Sequence, residues 1–149
     1  MNKVYLDTNV VLDAFLPDRP SADASTRILF LGEKEKVRCY MSSLTVANVA
    51  YVLRKNQGKG YAMDTIRELF RKHFVLSVSD MCVWEALRLD CPDCEDALQI
   101  ACADYGNCDC IVTTNVKHFR GCAPLPVFTP EEFLEGCRAA ATKKRQSAD

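Results

Sequence analysis

The chain has 149 residues, 48% hydrophobic and 26% charged, a length and balance that suit one soluble domain with its own core. Nineteen Lys and Arg against twenty Asp and Glu give a net charge of −1, which excludes a strongly basic surface field but leaves room for a local basic patch that meets nucleic acid. No apolar run approaches the roughly 20 residues that cross a bilayer, and Asp7 and Asp13 interrupt the apolar N-terminal stretch, so no membrane partner and a cytoplasmic location are expected.

The pattern predicts a first strand over 3–7, with Val4 and Leu6 apolar and Asp7 at its end. Residues 9–15 read as a short helix or turn, and Pro17, Asp18 and Pro20 mark a loop. Ser21 opens a helix to about 35, with Ala24, Ile28 and Leu31 on its apolar face. A second strand follows over 37–41. Ser42 or Ser43 then caps a helix over 44–56, which Gly58 and Gly60 end. A further amphipathic helix is expected over 61–72, with Ile66, Leu69 and Phe70, and a third strand over 74–78. Ser79 or Asp80 opens the helix that carries Val83, Trp84, Ala86 and Leu87, and Asp93 caps another running to about 105. Residues 110–113 form a fourth strand, 116–119 a turn and 126–128 a fifth strand. Thr129 and Glu132 make a capping box, with Pro130 at the first position of a helix to about 141. Residues 1–141 form one domain, and 142–149, with the basic run Lys143-Lys144-Arg145, form a polar tail that reads as frayed and solvated. Short apolar strands alternating with longer helices define an α/β layer fold with a mostly parallel sheet of four or five strands.

Nine cysteines, an odd number without an export signal, argue against a disulfide scaffold. Cys91–Cys94 with Cys108–Cys110 is a poor spacing for zinc, and a redox role for Cys91 and Cys94 requires them adjacent and partly exposed. Most of the cysteines read as small buried hydrophobes.

Ligands of parallel α/β folds gather at the carboxyl ends of the strands, where Asp7 and Thr113-Thr114-Asn115 are expected. A carboxylate after so apolar a strand has to be paired or metal-bound, because an unpaired buried charge is costly. Asp93, Glu95 and Asp96 crowd a helix N-terminus, where a cation relieves their repulsion. Hard oxygen ligands of this kind suit Mg²⁺ or Mn²⁺. Spacing alone leaves a second reading open, in which Asp7, Asp93 and Asp96 are ordinary capping and first-turn residues.

The segments YLDTNVVLDAF (5–15), SSLTVANVAYVLRK (42–55), EDALQIACADYGNCDCIVTTNVKHF (95–119) and LPVFTPEEFLE (125–135) together resemble the PIN-domain family, the fold of many RNA-cleaving toxins of bacterial toxin–antitoxin pairs. The resemblance implies a three-layer sandwich and a Mg²⁺- or Mn²⁺-dependent endoribonuclease of single-stranded or looped RNA. It implies that Asp7, Asp96, Asn115 and Asn48 form the catalytic set and that Asp7 and Asp96 bind metal, with Glu95 or Asp93 as a compensating ligand and Thr8, Asn9 and Thr113 orienting them. Asn115 and Asn48 stand where the family usually has acids, as in a branch with asparagine at the former position, and His118 replaces another frequent acid. Arg54, Lys55, Lys59, Lys117 and Arg120 are the expected phosphate contacts. An antitoxin and a second copy of the chain are the implied protein partners. Because Asn48, Asn115 and His118 are neutral, a catalytically weakened member acting as a binding or assembly protein stays open.

Overall fold

The most apolar of the expected strands lies at the centre of the molecule. In the computed structural model, which describes residues 2–146 but not the side chains of 144 and 145, Lys3–Leu6 forms β1, and Val4, Tyr5 and Leu6 are wholly buried. On one side of it lie β2 (Arg38–Ser42) and then β3 (Phe74–Leu76), and on the other β4 (Cys110–Val112) and then β5 (Val127–Phe128). All four pairings are parallel, with Val4 opposite Cys39 on one flank and Cys110 on the other. A strand covered on both faces has no solvent side, so its sequence need not alternate polar and apolar residues.

Parallel neighbours need crossovers, and helices supply them. Between β1 and β2 run α1 (Thr8–Asp13) and α2 (Ala22–Glu33), and between β2 and β3 run α3 (Ser43–Gln57) and α4 (Lys59–Lys72). Between β3 and β4 come α5 (Asp80–Arg88) and α6 (Cys94–Tyr105), followed by α7 (Val116–Arg120) between β4 and β5, and α8 (Pro130–Gln146) closes the described chain. The pleat divides the interior into two cores. Val4, Leu6 and Val112 point to one, filled from α1, α2, α3, α4 and α8 by residues such as Val11, Ile28, Leu53, Leu69 and Phe133. Tyr5 and Ile111 point to the other, filled from α5, α6 and α7 by Ala86, Ile100 and Phe119. The result is the expected three-layer α/β sandwich on a five-stranded sheet.

The helix starts follow the expected caps. The Ser42 hydroxyl accepts from Thr45 N at 3.1 Å, Ser79 from Cys82 N at 3.3 Å, and Asp93 from both Glu95 N and Asp96 N. The Thr129–Glu132 box closes in both directions, at 2.8 and 3.1 Å. Ser21 precedes α2 but makes no side-chain cap bond.

Several boundaries differ from expectation. Gly58, at φ +89°, alone makes the corner between α3 and α4, and Gly60 lies inside α4. β3 stops at Leu76 rather than 78, and Val78 N turns to the Ser43 hydroxyl at 3.2 Å. α8 runs past 141 to Gln146, because Ala139-Ala140-Ala141 and the following Lys143 are strong helix formers with no breaker among them. The side chains of Lys144 and Arg145, and residues 147–149 of the expected tail, lie outside the described residues. Phe70, Trp84 and Leu87 point outward, each more than half exposed, as does Tyr51. No helix among the described residues is long and apolar enough to cross a membrane.

Candidate functional site

The strand order creates a crevice. The chain winds from β1 outward to β2 and β3, then returns to place β4 on the opposite flank of β1. Loops leaving the carboxyl ends of β1 and β4 therefore diverge, the arrangement that opens a ligand cleft in such sheets. Asp7 and Thr113 are the first residues past those two ends. Each extends its ladder by one bond, Asp7 N to Val112 O and Thr113 N to Phe128 O, both 3.0 Å.

A continuous polar chain starts from this pair. Thr113 Oγ1 donates to Asp7 Oδ2 at 2.8 Å and accepts from Asn115 N at 2.9 Å. Asn115 Nδ2 in turn donates to Asp96 Oδ2 at 3.2 Å. Three of the expected site residues, Asp7, Asp96 and Asn115, are thus joined through Thr113 across separate segments. Asp7 occupies the position before α1 but its side chain makes no capping bond. The capping reading holds for Asp93 and not for Asp7.

Asp7 is 1% exposed. Burial pushes its carboxyl up to about 6, with hydrogen bonds from Thr113 and Gln99 acting against the rise and the charge of Asp96 adding to it. Burial also raises Asp96, opposed by its hydrogen bond with His118 and reinforced by the charge of Asp93. Among the described residues neither carboxylate has a Lys or Arg partner; the one ion-pair neighbour of Asp96 is His118.

Gln99, which the sequence pattern did not single out, holds the floor of the site. Its Oε1 accepts from Thr8 N at 3.0 Å and lies 3.4 Å from the Thr8 hydroxyl. A backbone N–H can only donate, so the amide oxygen must face Thr8 and the NH₂ is left for Asp7. The Thr8 hydroxyl meets Thr45 Oγ1 at 3.1 Å, and Thr45 meets Ser42 Oγ at 3.2 Å, so these three hydroxyls satisfy one another, while the buried Tyr5 hydroxyl has no hydrogen-bond partner. The available signal was a glutamine inside the apolar run Ala97-Leu98-Gln99-Ile100-Ala101, which an amphipathic surface helix would not bury.

His118, which the resemblance places where the family often has an acid, also reaches the site. Its Nδ1 lies 3.1 Å from Asp96 Oδ2 and 2.7 Å from Asn115 Nδ2. If the Asn115 NH₂ donates to both, Nδ1 and Oδ2 face each other as two acceptors. A proton on Nδ1 would satisfy Oδ2 but set donor against donor at Asn115 Nδ2, so one side of the triangle is unmet in either tautomer.

The remaining expected residues divide. Asn48 Nδ2 donates to Glu95 Oε1 at 2.7 Å, joining α3 to the first turn of α6. Asn9 is exposed and takes no part in these bonds, so Thr8, through its backbone and hydroxyl, is the orienting neighbour. Arg54 and Lys55 end α3 and Lys59 begins α4, all exposed, and Lys117 is exposed one residue before His118. Arg120 is engaged elsewhere, with Nη2 3.1 Å from Val127 O and 2.8 Å from Glu132 Oε2, clasping α7 to β5 and α8.

No group of three or more His, Cys, Asp and Glu side chains arranged around a metal occurs among the described residues. Mg²⁺ does not require one, since it binds through one or two carboxylates and takes its other oxygens from water and phosphate. Asp7 and Asp96, mutually repelling and without a Lys or Arg partner, supply the hard donors such an ion takes.

Comparison with known proteins agrees with this fold. A family model described as the PIN domain matches residues 3–117, and the chain belongs to the PIN-domain family. Among solved structures, VapBC2 from Rickettsia felis, bound to a DNA fragment from its promoter, is similar with a TM-score of 0.67 and 18% identity, covering 85% of this chain and 98% of that one. DNA-bound VapBC from Salmonella typhimurium gives 0.69 and 15%, covering 87% and 99%. Mycobacterium tuberculosis VapC20, a sarcin-ricin loop cleaving toxin, gives 0.57 and 14%, covering 72% and 86%. The curated protein sequences yield no match.

Proposed function

We propose that the protein is a Mg²⁺- or Mn²⁺-dependent endoribonuclease of the toxin type, acting on single-stranded or looped RNA. The observation that carries this reading is the buried Asp7 carboxylate, facing the charge of Asp96 at the sheet's crevice, with no Lys or Arg among the described residues paired to either. Membership of the PIN-domain family and likeness to a toxin that cleaves the sarcin-ricin loop support it.

Asp7 and Asp96 would hold the cation, with Glu95 beside them. When bound, the ion supplies Lewis acidity toward a phosphate oxygen and a water of lowered pKa. Thr113 and Gln99 fix the Asp7 carboxylate from two sides, and Asn115 fixes that of Asp96. His118 Nδ1, 3.1 Å from Asp96 Oδ2, helps to set where that carboxylate stands. Lys117, with Arg54, Lys55 and Lys59 further out, contacts phosphates; Arg120 serves the fold instead. Unstacked RNA is the fitting substrate because its backbone can be splayed into a cleft. An antitoxin and a second copy of the chain are the protein partners of this reading, supported by the toxin–antitoxin complexes among its structural neighbours.

In the presence of Mn²⁺, cleavage of a mixed RNA pool is expected to fall by about 100-fold or more in Asp7→Asn and in Asp96→Asn. Cleavage that survives both substitutions overturns the assignment. The hydrogen bond that ties Glu95 to Asn48 favours a second reading, a weakened member that binds without cutting. RNA retained by the wild type with no cleavage under any divalent cation selects it.

A further inference from the structure

A cavity of about 550 Å³ opens where β2 and β3 begin, at the opposite end of the sheet from Asp7. That volume suits a small organic ligand. Val37 and Arg38 line it at the start of β2, Phe70 and Lys72 from the last turn of α4, and His73 and Phe74 at the step into β3. Gly32 makes room for the buried His73 ring, since a Cβ there would stand 2.8 Å from Cε1 and 2.9 Å from Nδ1. Burial holds the ring neutral, aided by the charge of Lys72 and opposed by that of Glu33. Its Nδ1 has no hydrogen-bond partner. Phe70 and Phe74 are 69% and 46% exposed, and rings left in water beside cations make a platform for nucleic-acid bases. Phe74 stacks on Tyr40 with centroids 4.9 Å apart. The Arg38 guanidinium lies 5.6 Å from the Phe74 ring, and Lys3 Nζ 5.9 Å from that of Tyr40. Aromatic rings and cations thus alternate from β1 to the rim of the cavity. Arg71 is paired with Glu68 at 3.1 Å, but among the described residues neither Arg38 nor Lys72 has a carboxylate partner. Lys72 complements the carbonyl end of α4, whereas Arg38 stands on a strand and has no such role. Against these cations the lining holds one acid, Glu35, exposed on the turn after α2.

We propose that this cavity is a nucleotide-binding site, taking an aromatic base against Phe70 and its phosphate on Arg38 and Lys72. A neutral apolar ligand would leave the two cations unused, and an inorganic anion would leave the exposed ring unused. A nucleotide uses both. The same chemistry arrives as a free mononucleotide or as one unit of a single-stranded RNA. The site lies apart from the crevice and does not rest on the function proposed above, because binding is measured without cleavage.

The chain has two histidines, and they fall one at each place: His73 at the cavity and His118 at the crevice. Proton NMR of their rings, at fixed pH and in EDTA, therefore reads the two places separately. AMP added to the full chain should shift the His73 ring and leave that of His118 in place. Phe70→Ala should weaken this binding about tenfold, the scale of one base stacked on an aromatic ring, and Arg38→Ala should weaken it as well. Both side chains are exposed, so both variants should fold. A single-stranded oligoribonucleotide distinguishes the sources. If the ligand is a unit of a strand, the oligonucleotide should bind at least about tenfold tighter than AMP, because contacts along the strand add to the one in the cavity. Its log K against log salt should then become shallower by about 0.7 in Arg38→Ala, the loss of one phosphate contact. If the ligand is a free nucleotide, the oligonucleotide should bind no tighter than AMP. A His73 ring that neither AMP nor the oligonucleotide moves overturns the site, as does a shift that both substitutions leave unchanged. Inorganic phosphate that moves His73 as far as AMP does overturns the place of the base.

Discussion

Asp7 is held in a form that works against the stability of the metal-free fold. Its folded pKa, about 6, lies above the ordinary carboxyl value of 3.8, so the folded state binds the proton more tightly than the unfolded state. The stabilisation this gives is complete below about pH 4 and is lost as pH rises through 6. A rise of that size corresponds to about 3 kcal/mol. In EDTA, urea unfolding should therefore show this contribution disappearing between pH 4 and pH 7.5, and Asp7→Asn should flatten the dependence and be the more stable protein at pH 7.5. Saturating Mn²⁺ should recover stability for the wild type at that pH by mass action, and not for the variant. Equal stability of wild type and Asp7→Asn at pH 7.5 in EDTA would mean that the buried carboxylate is already compensated. Asp96 is less readily isolated, because His118, Asn115 and Asp93 act on it together.

At the scale of elements, the site depends on how two helices begin. Asp93 satisfies two backbone N–H groups at the start of α6 and so fixes the turn on which Glu95 and Asp96 stand. Asp93→Ala should cost about 1 kcal/mol of stability, read as a lowered denaturation midpoint. It also removes a negative charge that raises Asp96, so a loss of activity larger than the loss of fold would mark a displaced Asp96. A midpoint that does not move contradicts the cap. The start of α3 is fixed similarly by Ser42, whose hydroxyl and that of Thr45 continue to Thr8 behind Asp7. These caps were legible in the sequence because Ser, Asp and the Thr–Glu box act over two or three residues. Gln99 was not, since its partners Thr8 and Asp7 come from the far end of the chain. Arg120 looked like a phosphate contact for the same reason: nothing local tells that Glu132 and the Val127 carbonyl take its guanidinium.

At the scale of the whole molecule, the layered α/β architecture and the five strands followed from alternating apolar runs, and the resemblance pointed to the sandwich now described. The order of strands did not follow from periodicity, because pairing across a parallel sheet is decided by distant segments. Yet that order, with β1 between β2 and β4, is what brings Asp7 to Thr113 and so to Asn115 and Asp96. Helical spacing likewise could not divide core from surface on α4 and α5, where Leu69 and Ala86 face inward while Phe70 and Trp84 face solvent.

The proposed activity requires that Asp7 and Asp96 hold one divalent cation between them. Titration calorimetry of Mn²⁺ into the metal-free protein, alone and with a non-cleavable RNA analogue, measures this directly. One binding event per chain is expected, abolished in Asp7→Asn and in Asp96→Asn alike. Binding that persists unchanged in Asp96→Asn, or no binding by the wild type with or without the analogue, would contradict it.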